Sequence, residues 1–168
     1  MATDRTLTET GEPTLRALPG QVDLLLRRLD APPGLTARLR AVHDVAHRLV
    51  DLLRRRYPTV RIDREAVLYG AAARDIGRSL RAGELPGLES AHAGFGEAGE
   101  PAADWTDVTF EDLLVSLADT VCGTERVPEL EQRVVEHLAA ASRQETWETF
   151  VTLDDILGEL AESPGRQG

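Results

Sequence analysis

The sequence predicts an all-α protein, a bundle of about five to six helices, and three observations carry that expectation. Apolar residues recur at steps of three and four along residues 36–56, where Leu39, Val42, Ala46, Leu49 and Leu53 share one face. Three later segments, about 110–122, 128–142 and 145–160, carry helical periodicity too. The alternation expected of a strand is confined to one short stretch, 59–62.

Taken in order, residues 1–20 are rich in Thr, Glu, Gly and Pro, lack a period, and are expected to form a loose arm. A single helical domain is expected over 21–162, followed by a disordered tail at 163–168. Within the domain, 22–29 reads as a short helix ended by Asp30 and the Pro32-Pro33-Gly34 breaker. The long helix at 36–56 closes at Tyr57-Pro58, because the residue before a proline is pushed out of the helical region. Asp63 is suited to cap a third helix running through Val67, Leu68, Ala71 and Ile76 to about Leu80. From Arg81 to Thr106 the texture turns to Gly, Pro, Ala and Glu and reads as a loop of roughly 25 residues, beyond ordinary connection lengths.

Composition narrows the function classes. The chain has 168 residues, 42% hydrophobic and 29% charged, the profile of one soluble globular domain. No apolar run approaches the ~18 residues that cross a bilayer and the first twenty residues lack a signal-peptide core, so a cytoplasmic location and no membrane partner are expected. The formal net charge of −10 opposes general nucleic-acid binding. All 19 basic residues are arginine, which removes lysine Schiff-base chemistry and the phosphate-loop lysine; with asparagine also missing, the codon bias suggests a GC-rich bacterial host. One cysteine, Cys122, excludes an intrachain disulfide and a multi-cysteine zinc site.

Several residues stand out as chemistry-bearing. His43 lies on the apolar face of the long helix with Leu39, Ala46 and Val50, and His47 follows one turn later on an adjoining strip. A His-x-x-x-His pair can ligate metal from one face, although the glutamate of the zinc-protease pattern is missing. A structural reading, histidines bonded to neighbours at the core margin, competes with it. Asp75 shares a face with Ala71 and Leu68, and Asp119 sits beside the apolar face of a later helix. Carboxylates so placed need a partner, since an isolated buried charge costs several kcal/mol. Two acids and a histidine on three helices are also what an oxygen- and nitrogen-ligand metal site would use. Trp105 and Trp147 read as packing anchors, and Arg54-Arg55-Arg56 as a solvated basic helix end.

The segments Val42-His43-Asp44-Val45-Ala46, Ala73-Arg74-Asp75-Ile76-Gly77-Arg78 and Leu113 to Asp119 together resemble the HD-domain superfamily of metal-dependent phosphohydrolases. That family carries a His on one helix, a His-Asp doublet on a following helix, often within HDIGK, and an Asp on a later one. The resemblance spans about residues 35–136 and implies His43, Asp75 and Asp119 as metal ligands; if Arg74 swings outward, His47 or His92 is a candidate fourth ligand. It departs at the doublet, where Arg74 replaces the histidine, and at the motif's closing lysine, which is Arg78. A guanidinium has no lone pair for a metal and stays protonated. Arg74 is therefore expected to pair with Asp75, Asp119 or both in place of an ion, or else to swing outward.

Three readings follow. In the first, the chain is a divergent HD scaffold without catalytic metal or phosphohydrolase activity, reused for small-molecule or protein binding, with Arg74, Arg78, His47 and His92 as binding candidates. In the second, it keeps a divalent metal (Mn, Mg, Fe or Zn) and hydrolyses a nucleotide or another phosphate ester. In the third, His43 and a carboxylate perform metal-free acid–base catalysis on a small molecule. A homodimer is compatible with a small helical protein, but no heptad seam demands one.

Overall fold

The computed structural model describes residues 15–76, 108–123 and 126–162, and these form six helices with no strand among the described residues. They are α1 (Gly20–Arg28), α2 (Pro33–Arg56), α3 (Arg64–Ala73), α4 (Phe110–Cys122), α5 (Pro128–Ser142) and α6 (Thr146–Glu162). The all-α expectation holds. The stretch at 59–62 is turn, bend and irregular coil between α2 and α3. Four residues have no paired edge to join, and the short connection between two packed helices takes them instead.

The long helix α2 is the axis of the bundle and packs against α3, α4 and α6. Its periodic face is buried as the spacing predicts, with Ala46, Leu49, Val50 and Leu53 fully enclosed. Leu114, Leu117 and Ala118 of α4, Leu130, Val134 and Leu138 of α5, and Leu153 and Ile156 of α6 complete the main core. A smaller cluster joins Leu18 and α1 (Val22, Leu26) to Leu39 of α2 and to Ala72 and Ile76. Leu18 lies in the stretch expected to be a loose arm, and residues 15–19 rest against the bundle.

Helix boundaries follow local chemistry. Helix α2 starts at Pro33, three residues earlier than the periodicity suggests. Proline is tolerated in the first turn because its missing N–H has no intrahelical partner there, so the Pro32-Pro33-Gly34 breaker is in part the helix start. Asp63 caps α3 as expected, its Oδ1 accepting from the Ala66 amide at 3.1 Å. Thr109 and Asp112 form a reciprocal capping box on α4, an entry signal that apolar periodicity alone does not carry. The third helix does not run unbroken toward Leu80. It ends at Ala73, Arg74 and Asp75 form a turn, and Ile76 is helical again. Both turn residues are drawn into lateral ion pairs, described below, and residues 77–80 lie outside the described residues.

Close approach of α3 to α4 depends on Gly70, where a Cβ would meet Val115 Cγ2 at 3.0 Å. With Ala71 and Ala72 beside it, this small-residue run lets α3 lie tightly on α4 and brings Arg74 and Asp75 to the middle of α4.

Candidate functional site

Two separate groups of polar side chains gather around α2. One holds both sequence-predicted carboxylates, and the other holds both described candidate histidines.

The first group is a four-membered ion cluster where α2, the end of α3 and α4 meet. Arg38, in the second turn of α2, donates from Nη2 to Asp119 Oδ1 at 3.0 Å and places Nε 3.3 Å from Asp75 Oδ2. Arg74 places Nε 3.7 Å from Asp119 Oδ2 and donates from Nη1 to Ser116 Oγ at 2.8 Å. Two guanidiniums thus oppose two carboxylates. The acid side chains are mostly enclosed, 15% exposed for Asp75 and 21% for Asp119. Ser116 is buried on α4, and the arginine N–H supplies the hydrogen-bond partner that its hydroxyl needs. The hydrogen bond and charge of Asp119, with help from Asp75, hold the Arg38 guanidinium still more firmly protonated against a modest opposing effect of burial. Arg74 therefore turns toward Asp119 and not outward.

Arg38 is the residue that sequence reasoning missed. It is five positions before His43, which on an α-helix is roughly 140° of rotation and about 7.5 Å of rise. The ion cluster and the histidines consequently occupy different faces and levels of α2.

The second group centres on His43 and His47. His43 is 3% exposed and its Nδ1 is buried without a hydrogen-bond partner. The His47 ring meets it edge to face, with centroids 4.9 Å apart and an interplanar angle of 84°. His47 Nδ1 accepts from two guanidiniums, Arg16 Nη1 and Arg64 Nη2, each at 2.8 Å. Accepting at Nδ1 makes His47 a neutral imidazole carrying its hydrogen on Nε2. The arginines are themselves offset by acids: Arg16 lies 3.7 Å from Asp44, and Arg64 is hydrogen-bonded to Asp51.

Both histidines titrate below the ordinary histidine range. For His43, burial is the main cause, followed by the neighbouring His47 and by Arg16, with Asp44 acting in the opposite direction. For His47, burial again leads, then Arg16 and Arg64, against Asp51 and Asp44. Both rings are neutral at pH 7. They open on a cleft of about 700 Å³ between α2, α3 and the segment before α1, with Leu18, Pro19, Leu68 and Tyr69 as its apolar walls and Asp63 and Glu65 among its lining residues.

Chemically, the ion cluster pairs two guanidiniums with two carboxylates, whereas the cleft is bordered by two neutral imidazoles with the Arg16 and Arg64 guanidiniums on one of them. Among the described residues no group of three or more His, Cys, Asp or Glu side chains is placed to hold a metal ion. Asp75 and Asp119 are brought together through Arg38, and His43 joins His47 in the cleft. Arg78 and His92 lie outside the described residues, as do Trp105 and the segment 81–106. Trp147 is not a packing anchor: it is 67% exposed on α6, because Thr149, Leu153 and Ile156 form the buried strip of that helix. No family model, no curated protein and no solved structure matches this chain.

Proposed function

We propose that this chain is an HD-like helical scaffold in which arginines have taken the place of the catalytic metal, and that it serves as a small-molecule-binding protein and not as a phosphohydrolase. The observation that carries the reading is the engagement of both candidate metal-ligating carboxylates by guanidiniums, Asp75 by Arg38 and Asp119 by Arg38 and Arg74.

The donor set does not fit a divalent cation as it stands. Arg74, at the doublet position, has no lone pair to donate. The two carboxylates already face two fixed positive charges, and a divalent ion would have to displace Arg38 and sit against Arg74 in a half-buried setting. His43 is turned into the neighbouring cleft with His47, in edge-to-face contact with it. The charge that an ion would supply at the carboxylates is supplied by the chain itself.

What remains available for function is the cleft. Its mixture of apolar wall and a few polar groups, at about 700 Å³, matches small-molecule sites in general. The two imidazoles on the cleft lining, both with lowered pKa values, support a second reading, metal-free proton transfer involving His43, since a neutral histidine beside a ligand is a competent base.

A chelator separates both readings from a metal-dependent hydrolase, and turnover separates them from each other. Protein purified without chelating agents is expected to carry far less than one equivalent of divalent metal and to release no phosphate from a nucleotide panel. Nucleotide turnover that requires added manganese or magnesium, and that Asp75→Ala abolishes, would overturn the proposal. Consumption of a small-molecule substrate that survives chelator and is lost in His43→Ala would select the second reading.

A further inference from the structure

Helix α6 carries two apolar strips, and one of them is buried. Thr149, Leu153, Ile156 and Leu160 face the core, whereas Trp147, Phe150 and Val151 stand 67%, 51% and 52% exposed. The last three are spaced i, i+3 and i+4, so they share one outward face and form a patch, unlike single apolar residues scattered over a surface. Asp154 continues the row, and Gly158 and Ala161 carry it into a groove of about 300 Å³ that Leu117 and Val121 of α4 also line. A Cβ on Gly158 would meet nothing within 4 Å, so the groove is open at that position. Every charged residue of α6 is acidic: Glu148, Asp154, Asp155, Glu159 and Glu162. The connection before it adds one charge of each sign, Arg143 and Glu145. Arg126, the base in the groove, is already engaged. Its guanidinium donates to both oxygens of buried Glu131, at 2.8 and 2.7 Å, and to Asp154 at 2.9 Å, which sets two carboxylates around one cation.

We propose that this face of α6 and the adjoining groove dock a helix of another protein, one that is amphipathic and carries arginine or lysine along the flank of its apolar side. Exposed Trp and Phe are the kind of anchor on which interface energy concentrates, and a row at i, i+3, i+4 and i+7 matches the pitch of a partner helix. At about 1.5 Å per residue, Trp147 to Ala161 spans about 21 Å, which is about four turns of such a helix. Charge selects among occupants. A second copy pairing α6 with α6 about a two-fold axis would set these acids against their own copies, and like charges across an interface oppose association. The same charges repel nucleic acid and anionic membrane, whereas a basic flank on the partner complements them. The face shares no residue with the ion cluster or the histidine cleft, so docking here and ligand binding in the cleft are independent of each other.

The test is a calorimetric titration of the full chain with a synthetic peptide of about 18 residues, leucines at i, i+3, i+4 and i+7 and arginines on the flanks. Two controls accompany it: the same composition scrambled to destroy the apolar face, and the original pattern with glutamate for each arginine. The basic amphipathic peptide is expected to bind saturably at one per chain, the scrambled peptide at least about tenfold more weakly, and the acidic peptide not at all. Trp147→Ser and Phe150→Ser, at exposed positions where thermal melting should show the fold retained, are each expected to weaken binding about tenfold. Asp155→Asn should weaken it about twofold, with the difference fading at high salt. Sedimentation velocity of the chain alone should show a monomer. No saturable binding of the basic peptide, equal affinity for its scrambled form, or an unchanged affinity in both serine variants would overturn the proposal. A dimer that Trp147→Ser dissociates would give the face to a second copy, and adsorption to phosphatidylcholine vesicles that the same variant abolishes would give it to a membrane; either result overturns the proposal.

Discussion

Replacing Arg38 by methionine is the most informative perturbation of the ion cluster, because it deletes the charge but keeps an unbranched stem with good helix propensity. Arg38 makes two contacts, at 3.0 Å to Asp119 and 3.3 Å to Asp75. Two charges about 4 Å apart attract by about 4 kcal/mol at an effective dielectric of 20, but an exposed partner is screened and loses rotamer freedom. The Arg38 side chain is 59% exposed, which places each contact near the upper end of surface pairs, about 1 kcal/mol. Asp119 keeps Arg74 in the variant, whereas Asp75 loses its one ion-pair partner among the described residues. A total loss of about 2 kcal/mol is therefore expected. In urea this moves the midpoint down by about 1 M if the slope is about 2 kcal/mol/M, and in heat it lowers Tm by about 4–8 °C. Asp75→Asn and the double variant complete a cycle whose coupling should be about 1 kcal/mol. A midpoint shift below about 0.2 M with no coupling would refute the reasoning, since the carboxylates would then not depend on Arg38.

Other expectations are equally concrete. Acidification should destabilise the protein between pH 6.5, the ordinary histidine value, and the lower folded-state values of His43 and His47. The unfolded chain binds protons there that the folded rings refuse, so urea stability should fall by up to about 1.4 kcal/mol per pH unit per histidine, and His43→Gln should flatten the slope. Stability constant from pH 6.5 to 5 would contradict buried neutral imidazoles. Gly70→Ala gains about 1 kcal/mol of helix propensity but pushes a methyl against the stiff Val115 at 3.0 Å, for a net loss of about 1 kcal/mol. In a Val115→Ala background the same change should become stabilising, which denaturation curves of the four proteins would show. Thr109→Ala removes the α4 capping box and should cost about 1 kcal/mol; a loss near zero in the same assay would mean that solvent replaces the cap.

The backbone was more legible than the site, for physical reasons. Apolar periodicity and end signals are local, and they place α4 and α5 at the residues where the structure has them. Asp63 is likewise a short-range signal, an acceptor three residues from the amide it caps. The inward placement of His43 follows from its spacing to Leu39, Ala46 and Val50. Arg38 carries no such sign. On a long helix it reads as one more solvated arginine, and its hydrogen-bonded partner Asp119 is 81 residues away in sequence. The attachment of Arg16 to His47, across 31 residues, is equally invisible, because the segment around it has the composition of a loose arm. Trp147 shows the opposite error: a large aromatic on a helix suggests packing, yet the buried strip of α6 runs through smaller neighbours. The turn at Arg74 and Asp75 interrupts an otherwise continuous helical pattern, and the ion pairs these two residues make with Asp119 of α4 and Arg38 of α2 join segments far apart in sequence.

The central claim, that guanidiniums hold the place of a metal at Asp75 and Asp119, is tested most directly by metal content. Wild type and Arg74→His, purified without chelator and exposed to manganese, iron or zinc before desalting, would be compared by plasma mass spectrometry. The account predicts far less than one equivalent in wild type. One equivalent of metal per wild-type chain, lost in Asp75→Ala, would contradict it.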